Sequence, residues 1–449
     1  MKKLYIIVLF LMTGIMAEAQ TSVWDGSREL WTRGEGSESS PYRIESAGNL
    51  AFLAYMVNKG YETEGLYFVL TTDIDLNGSE DLQWVSVGLG DRWFNDDGCD
   101  RGAPDSYYNV NTYFRGHFDG GGHKIYNLYN DGGIIAGLFG YVTSEAEIKN
   151  VSVENGYIRD AQYGGGIVGH AGSGANVSIT NCSNNADISG FQVGGIVGYG
   201  GGKVTNCYNT GSIKGTNAAG GISGTVTAEI CNCFNTGNIT SYGGGGGIMG
   251  TNQRTTTIMN CYNTGSVTGD GQGIGGIGGI IVKGMVKNCY NVGDVANSQK
   301  PAGGVIGSDF NGTADNLYYL NTCGGEGIGE PMTDIEMRDP AFVGTLNNDT
   351  DVWGCDEGDV NNGYPILVPI GFSTDEITIQ NEMLSVYPNP AKGCFTVEGS
   401  GRLNIINMLG QVIVEQTIEG QTNVTLPEGI YLLKLSDGNI AISRKVVVY

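Results

Sequence analysis

Gly194-Gly195-Ile196-Val197-Gly198, followed eight residues on by Asn206-Cys207-Tyr208-Asn209, decides the fold, because both units return along the chain. The glycine unit recurs at Gly165-Gly166-Ile167, Gly220-Gly221-Ile222, Gly246-Gly247-Ile248, Gly278-Gly279-Ile280 and Gly303-Gly304-Val305. The second unit recurs at Asn181-Cys182-Ser183-Asn184, Asn232-Cys233-Phe234-Asn235, Asn260-Cys261-Tyr262-Asn263 and Asn288-Cys289-Tyr290-Asn291. Its cysteines are 25, 26, 28 and 28 residues apart. A period of this size, with alternating apolar residues and a glycine turn in every unit, predicts one coil of a parallel β-helix per repeat. Degenerate copies at Asn127-Leu128, Asn150-Val151 and Asn316-Leu317 lengthen the series. Eight coils rising ~4.8 Å each would make a body roughly 34 Å long.

Composition agrees with a repeat fold. The chain has 449 residues, 40% of them hydrophobic, and 76 glycines. Its formal charge of -23 is unevenly spread. Residues 20–163 hold 22 acids and 10 bases, residues 164–308 only 4 acids and 6 bases, and residues 309–382 hold 15 acids and 1 base. A nearly uncharged body suits stacked coils, which set like residues side by side. Acidic flanks argue against nucleic acid or an anionic membrane as partner, since both require clustered Lys and Arg.

Met1-Lys2-Lys3, the apolar run Leu4 to Met16 and Ala17-Glu18-Ala19 before Gln20 have the form of a secretory signal peptide cleaved between Ala19 and Gln20. No later stretch approaches the ~20 apolar residues of a membrane span. A helix is predicted over 46–58, with Ser46 as N-cap and Gly60 as stop. Strands are expected at Leu66 to Thr71 and Trp84 to Val87.

The glycine units, with Gly137-Leu138-Phe139-Gly140, resemble the GLUG-motif repeats of bacterial surface proteins. So do the lead-in segments Asp73-Ile74-Asp75-Leu76 and Phe118-Asp119-Gly120-Gly121-Gly122-His123-Lys124-Ile125, and the exit Asn361-Asn362-Gly363-Tyr364-Pro365-Ile366-Leu367. The resemblance spans about 24–368. Gly371 to Glu382 reads as a linker. Beyond it, Tyr387-Pro388-Asn389-Pro390, Gly393, Leu409-Gly410-Gln411, the run Gly429-Ile430-Tyr431-Leu432-Leu433-Lys434-Leu435 and Lys445-Val446-Val447-Val448 resemble the C-terminal sorting domain of the type IX secretion system of the Bacteroidetes. Tyr449 stands where that domain often ends on a basic residue. This resemblance implies export through the type IX machinery, followed by removal of the domain or attachment to the surface. The expected organisation is signal peptide 1–19, N-terminal cap 20–113, β-helix repeats 114–320, C-terminal cap 321–370, linker 371–382 and a small β-sandwich sorting domain 383–449. The fold class is all-β.

No catalytic set emerges. Cys182, Cys207, Cys233, Cys261 and Cys289 share one repeat position with Leu128, Val151 and Leu317, which marks an apolar interior slot. Disulfides between neighbouring coils are an alternative in an oxidising compartment, and metal is a third, without His or Cys-x2-Cys spacing in support. The flanking asparagines, Asn206 and Asn209 for example, read as stacked amides at a coil corner. Gly273-Ile274-Gly275-Gly276-Ile277-Gly278 has the letters of a dinucleotide fingerprint but no helix after it. His117, His123 and His170 have no readable nucleophile partner. Asp187 and Asp294 share a repeat position four coils apart, about 19 Å, beyond the ~5–9.5 Å of a glycosidase pair. Calcium is the candidate ion, at Asp91, Asp96, Asp97, Asp100 and Asp105 and at Asp349, Asp351, Asp356 and Asp359, with merely solvated acidic loops as the alternative.

Tyr208, Phe234, Tyr262 and Tyr290 directly follow the cysteines, so alternation sends them outward in a row. They are the candidate ligand-binding residues, for a glycan or a protein; a flanking loop over them is the alternative. The expectation is therefore a secreted or surface-bound β-helix that acts by binding. A polysaccharide-degrading lyase or hydrolase and a purely structural component are the rivals.

Overall fold

The computed structural model describes residues 21–94, 108–172, 176–226, 229–252, 254–308, 310–348, 350–358, 360–368, 384–407, 412–427, 429–437 and 440–448. These form two units, one up to Val368 and one from Pro369 onward. The first is a parallel β-solenoid of about nine turns. The coil from Lys203 shows the plan. Strands Lys203–Thr205 and Tyr208–Asn209 lie in a 19-stranded sheet, Ile213–Gly220 in a 10-stranded one and Ser223–Val226 in a 7-stranded one. Each strand pairs in parallel with its counterpart one coil away, as Lys203–Thr205 does with Glu229–Cys231. The stack starts before Phe114: Tyr42–Ile44 pairs with Tyr67–Leu70, and that strand with His117–Asp119.

Two features of the repeat create this plan. The first asparagine of each Asn-Cys unit turns the corner with positive φ, between 51° and 56° from Asn127 through Asn150, Asn181, Asn206, Asn232, Asn260 and Asn288 to Asn316. Asparagine tolerates this left-handed region because its short amide bonds locally. The apolar residue after the glycine pair points inward: Ile167, Ile196, Ile222, Ile248 and Val305 are fully buried. In the remaining coil Ile280 of the expected unit Gly278-Gly279-Ile280 is only half-buried, and Ile277, after Gly275-Gly276, is the fully buried one. Each such side chain contributes roughly 1.5–3 kcal/mol by leaving water, and repetition makes the sum large.

The cysteines fill the expected interior slot. Cys182, Cys207, Cys233, Cys261 and Cys289 are at most 1% exposed, as is Val151, and Leu128 and Leu317 are buried in the same position. They are free thiols, not the inter-coil disulfides held open above. Each donates to the carbonyl two residues back, Cys233 to Cys231 at 3.1 Å and Cys207 to Thr205 at 3.2 Å. Burial pushes the Cys182, Cys233 and Cys289 thiols well up.

Several local expectations change. Helix α1 (Ala47–Asn58) is where the pattern placed it, with Ser46 Oγ accepting from Asn49 N at 3.1 Å. The predicted strand at 66–71 narrows to Tyr67–Leu70. Trp84 to Val87 is not a strand, since it contributes only a bridge from Val87 to Phe139 while Trp84 buries its ring. Two short helices that periodicity did not reveal, α2 (Asp334–Arg338) and α3 (Pro340–Leu346), follow the last coil.

The second unit is antiparallel apart from one bridge. Leu384–Lys392, Cys394–Asn407, Val412–Thr425, Gly429–Asp437 and Ile440–Val448 are hydrogen-bonded into a five-stranded sheet. Its first strand pairs with both Cys394–Asn407 and, through Ala391 and Val448, the last strand. The sheet thus rolls around Phe395, Val397, Leu403, Ile405, Leu433 and Val446.

Candidate functional site: the aromatic row and its cover

Parallel registry sets Tyr208 beside Phe234, Phe234 beside Tyr262 and Tyr262 beside Tyr290. The rings stack face to face at 4.9, 4.9 and 5.2 Å, within 2–4° of parallel. The row points away from the coil interior, as alternation requires. Its surroundings are not uniform. Tyr208 is 38% exposed and Phe234 half-buried, but Tyr262 is 4% and Tyr290 0% exposed. Tyr262 and Tyr290 therefore are not open binding residues: the C-terminal cap covers them.

The cover is an aromatic core of its own. Trp353 lies 5.5 Å from Tyr290 and 6.0 Å from Tyr262, and Phe342 of α3 meets Tyr290 edge-on. Met337, Leu346 and Tyr364 complete the cluster. The Tyr290 hydroxyl donates to Pro365 O and accepts from Asn361 Nδ2 at 2.8 Å. Burial pushes both buried phenols up. Asp356 holds the exit loop, its carboxylate accepting from the backbone N–H of Val360, Asn361 and Gly363 at 2.9, 2.7 and 3.0 Å. Partial burial raises its pKa, and these three bonds more than offset that and hold it low. Asp334 binds the Tyr364 hydroxyl and Arg338, which hold its carboxyl low too.

The open half adjoins polar side chains on the same sheet. Lys203 pairs with Glu229 at 3.1 Å and Lys124 with Glu154 at 3.4 Å, while Ser183 Oγ donates to Ser152 Oγ at 2.7 Å. Apolar rings bordered by hydroxyls and paired charges are of a kind that can bind a ligand.

The corner asparagines form two hydrogen-bonded ladders, as expected of stacked amides. In the outer one each Nδ2 donates toward the N-terminus, from Asn316 through Asn288, Asn260, Asn232, Asn206 and Asn181 to Asn150, at 2.8–3.1 Å. Asn150 donates to Asp119 at 2.9 Å, so a carboxylate receives the donor end. The inner ladder, Asn184, Asn209, Asn235, Asn263 and Asn291, donates the opposite way at 2.7–2.8 Å. Glycine is obligatory beside it. A Cβ on Gly221 would sit 2.2 Å from Gly247 O and 2.3 Å from Asn235 Cγ.

The lead-in acids are similarly engaged. Asp73 Oδ1 lies 2.9 Å from His123 Nδ1, Asp75 accepts from Asn127 Nδ2 at 2.8 Å, and Asp119 also accepts from Gly121 N. His117 stacks on Tyr67 and faces Glu147 at 3.4 Å. Asp187 accepts from Ser212 N at 3.1 Å. Of the calcium candidates, Asp96, Asp97, Asp100 and Asp105 lie outside the described residues, as do Asp349 and Asp359. Asp351 is exposed and Asp356 is turned onto backbone N–H groups. No group of three His, Cys, Asp or Glu side chains able to hold a metal occurs among the described residues. The signal segment with Ala19 and Gln20, and the linker, are also outside them.

In the second unit, Tyr387, Pro388, Asn389 and Pro390 lie on its first strand, and Gly429, Tyr431 and Lys434 on its fourth. Tyr431 is buried and its hydroxyl donates to Pro427 O at 2.9 Å, while Lys434 is exposed.

Comparison with known proteins fits both units. Residues 189–214 match the GLUG motif, and residues 385–449 match the secretion system C-terminal sorting domain. The solenoid thus contains a stretch matching the GLUG motif, and the second unit matches the sorting domain. Halomucin of Haloquadratum walsbyi is 28% identical over 169 residues, 37% of this chain but 2% of its own length. A protein of Evansella cellulosilytica named as a Gly-rich membrane protein is 29% identical over 163 residues, 34% of this chain and 15% of its own. The chain thus spans a small part of either relative. A crystal structure from Bacteroides ovatus, named as an immunoglobulin A1 protease, superposes over 74% of this chain and 94% of its own, with TM-score 0.46 and 22% identity. The sorting domain implies handling by the type IX machinery and delivery to the cell surface or the medium. No helix among the described residues is long and apolar enough to cross a membrane.

Proposed function

We propose that this chain is an extracellular binding protein whose solenoid presents the open end of the aromatic row, Tyr208 and Phe234, to a glycan or protein ligand. The observation that carries this reading is the unequal cover on one row of identical geometry. Tyr262 and Tyr290 are consumed by the cap, while Tyr208 keeps 38% of its surface in water. Partly exposed rings in a polar border are typical of recognition surfaces. The state of the carboxylates supports binding over hydrolysis. Asp73, Asp75, Asp119 and Asp187 serve as hydrogen-bond acceptors for loops and ladders. Calcium at the two acidic loops is part of the same proposal, as a brace for loops rather than a participant in chemistry.

The test is a glycan array and a surface-protein panel probed with the secreted chain, run beside a reducing-sugar release assay. The reading expects capture without sugar release, and loss of capture in a Tyr208→Ala, Phe234→Ala double variant of unchanged melting temperature. Release of reducing ends, or capture unaffected by the double variant, overturns it.

A further inference from the structure

A second group of rings lies on the 7-stranded sheet, away from the aromatic row. Each glycine unit continues to a second glycine and then one outward residue: Tyr141, His170, Tyr199, Thr225, Thr251, Ile280 and Ser308. Strand registry stacks these seven in a column. The adjoining strands of the 10-stranded sheet carry a facing column, Tyr163, Gln192, Ala218, Gly244 and Gly273. Toward the C-terminus both columns lack rings. Toward the N-terminus they are aromatic.

There the rings converge. His170 lies 4.3 Å from Tyr141, 5.0 Å from Tyr199 and 5.3 Å from Tyr163, and Tyr163 lies 4.9 Å from Tyr199. Tyr113 extends the group, 4.7 Å from Tyr141. All five are half-buried, and none belongs to a core cluster of the solenoid. The fold does not require them, since the same column positions accept threonine, isoleucine, serine and glycine a few coils later. Among the described residues nothing hydrogen-bonds the His170 imidazole. Its desolvation lowers the pKa to about 4, so at neutral pH the ring is uncharged, with one donor and one acceptor nitrogen.

We propose that Tyr141, Tyr163, His170 and Tyr199 form a binding site for an uncharged sugar ring of a glycan. Sugar rings pair an apolar C–H face with a rim of hydroxyls. Tyrosine faces match the first, and phenol hydroxyls with a neutral imidazole match the second. Gln192, in the coil next to Tyr163, adds an amide that donates to Asn217 at 3.1 Å and keeps its oxygen as an acceptor. The repeat spacing of ~4.8 Å sets successive rings at about the length of one sugar residue, so a chain running along the coil axis would meet one ring per residue. An anionic glycan fits less well, because the nearby Arg115 is already paired with Glu62 at 2.6 Å. This site is independent of the Tyr208 surface and stands or falls separately.

The probes are neutral oligosaccharides (cello-, malto- and N-acetylchitohexaose) titrated into the full secreted chain by calorimetry, with the His170 imidazole followed by nitrogen-15 NMR. At least one probe is expected to bind and shift the His170 resonances. Tyr199→Ala and His170→Phe should each weaken it about tenfold or more. The NMR readout on the wild type keeps the test valid should Tyr199→Ala fold poorly. No binding by any probe overturns the proposal, as does binding that leaves the His170 resonances unmoved.

Discussion

Tyr208 and Tyr290 occupy the same repeat position, follow the same cysteine and stack in the same row, yet one is 38% exposed and the other not at all. The difference lies outside the repeat. Periodicity fixes the direction of a side chain, because alternation and parallel registry are local properties. Cover is set by the non-repeating segment that follows, here α2, α3 and Trp353. The same ring therefore has a structural role under the cap and is available for binding beyond it.

Removing the roof is the strongest way to break this contrast. Trp353→Ala should destabilise the solenoid unit by about 3–5 kcal/mol, the usual cost of deleting a buried large aromatic. Chemical denaturation measures it, and near-wild-type stability would mean that the cap merely rests on the row. The two amide ladders give a finer contrast of the same kind. Asn235→Ala strips the buried inner ladder of a partner on each side and should cost ~1–3 kcal/mol. Asn206→Ala, at a half-buried rung of the outer ladder, should cost less, since water reaches the lost bonds more readily. Equal costs would show that burial does not set the value of the rung.

Acid sharpens the comparison with a smaller effect. Asp356 and Asp334 have pKa values held below the ordinary 3.8 by hydrogen bonds that only the folded cap supplies. A depressed folded pKa contributes stability above the unfolded value, lost as pH falls through the folded one. Acidification from about pH 4 downward should therefore loosen the cap around Trp353 before the coils separate. Trp353 fluorescence against far-ultraviolet circular dichroism follows the two events, and a single coincident transition would contradict separate release.

Much of this was legible in the residues. The Gly-Gly-Ile and Asn-Cys units state the coil, and Leu128, Val151 and Leu317 state that the cysteine slot is apolar. The outward direction of the row followed from the residue after that slot. Its cover did not, because α2 and α3 are too short to show a helical period. Their starts were nonetheless written in the chain: Thr333 and Glu336 form a capping box, and Asp339 caps α3 with Pro340 at its first position. The Tyr141, His170, Tyr199 column was equally readable, as the residue after the second glycine of each unit. Trp84 to Val87 misled in the other direction, since alternation alone cannot tell a strand from an irregular segment anchored by one buried ring.

The most direct test sets Tyr208→Ala beside Tyr290→Ala in equilibrium denaturation of the secreted chain. Tyr290→Ala should lose about 3–5 kcal/mol, as a buried aromatic does, and Tyr208→Ala only about 1 kcal/mol, as a partly exposed ring outside the cap does. Equal losses, or a larger loss at Tyr208, would contradict the division of the row into a covered structural half and an open binding half.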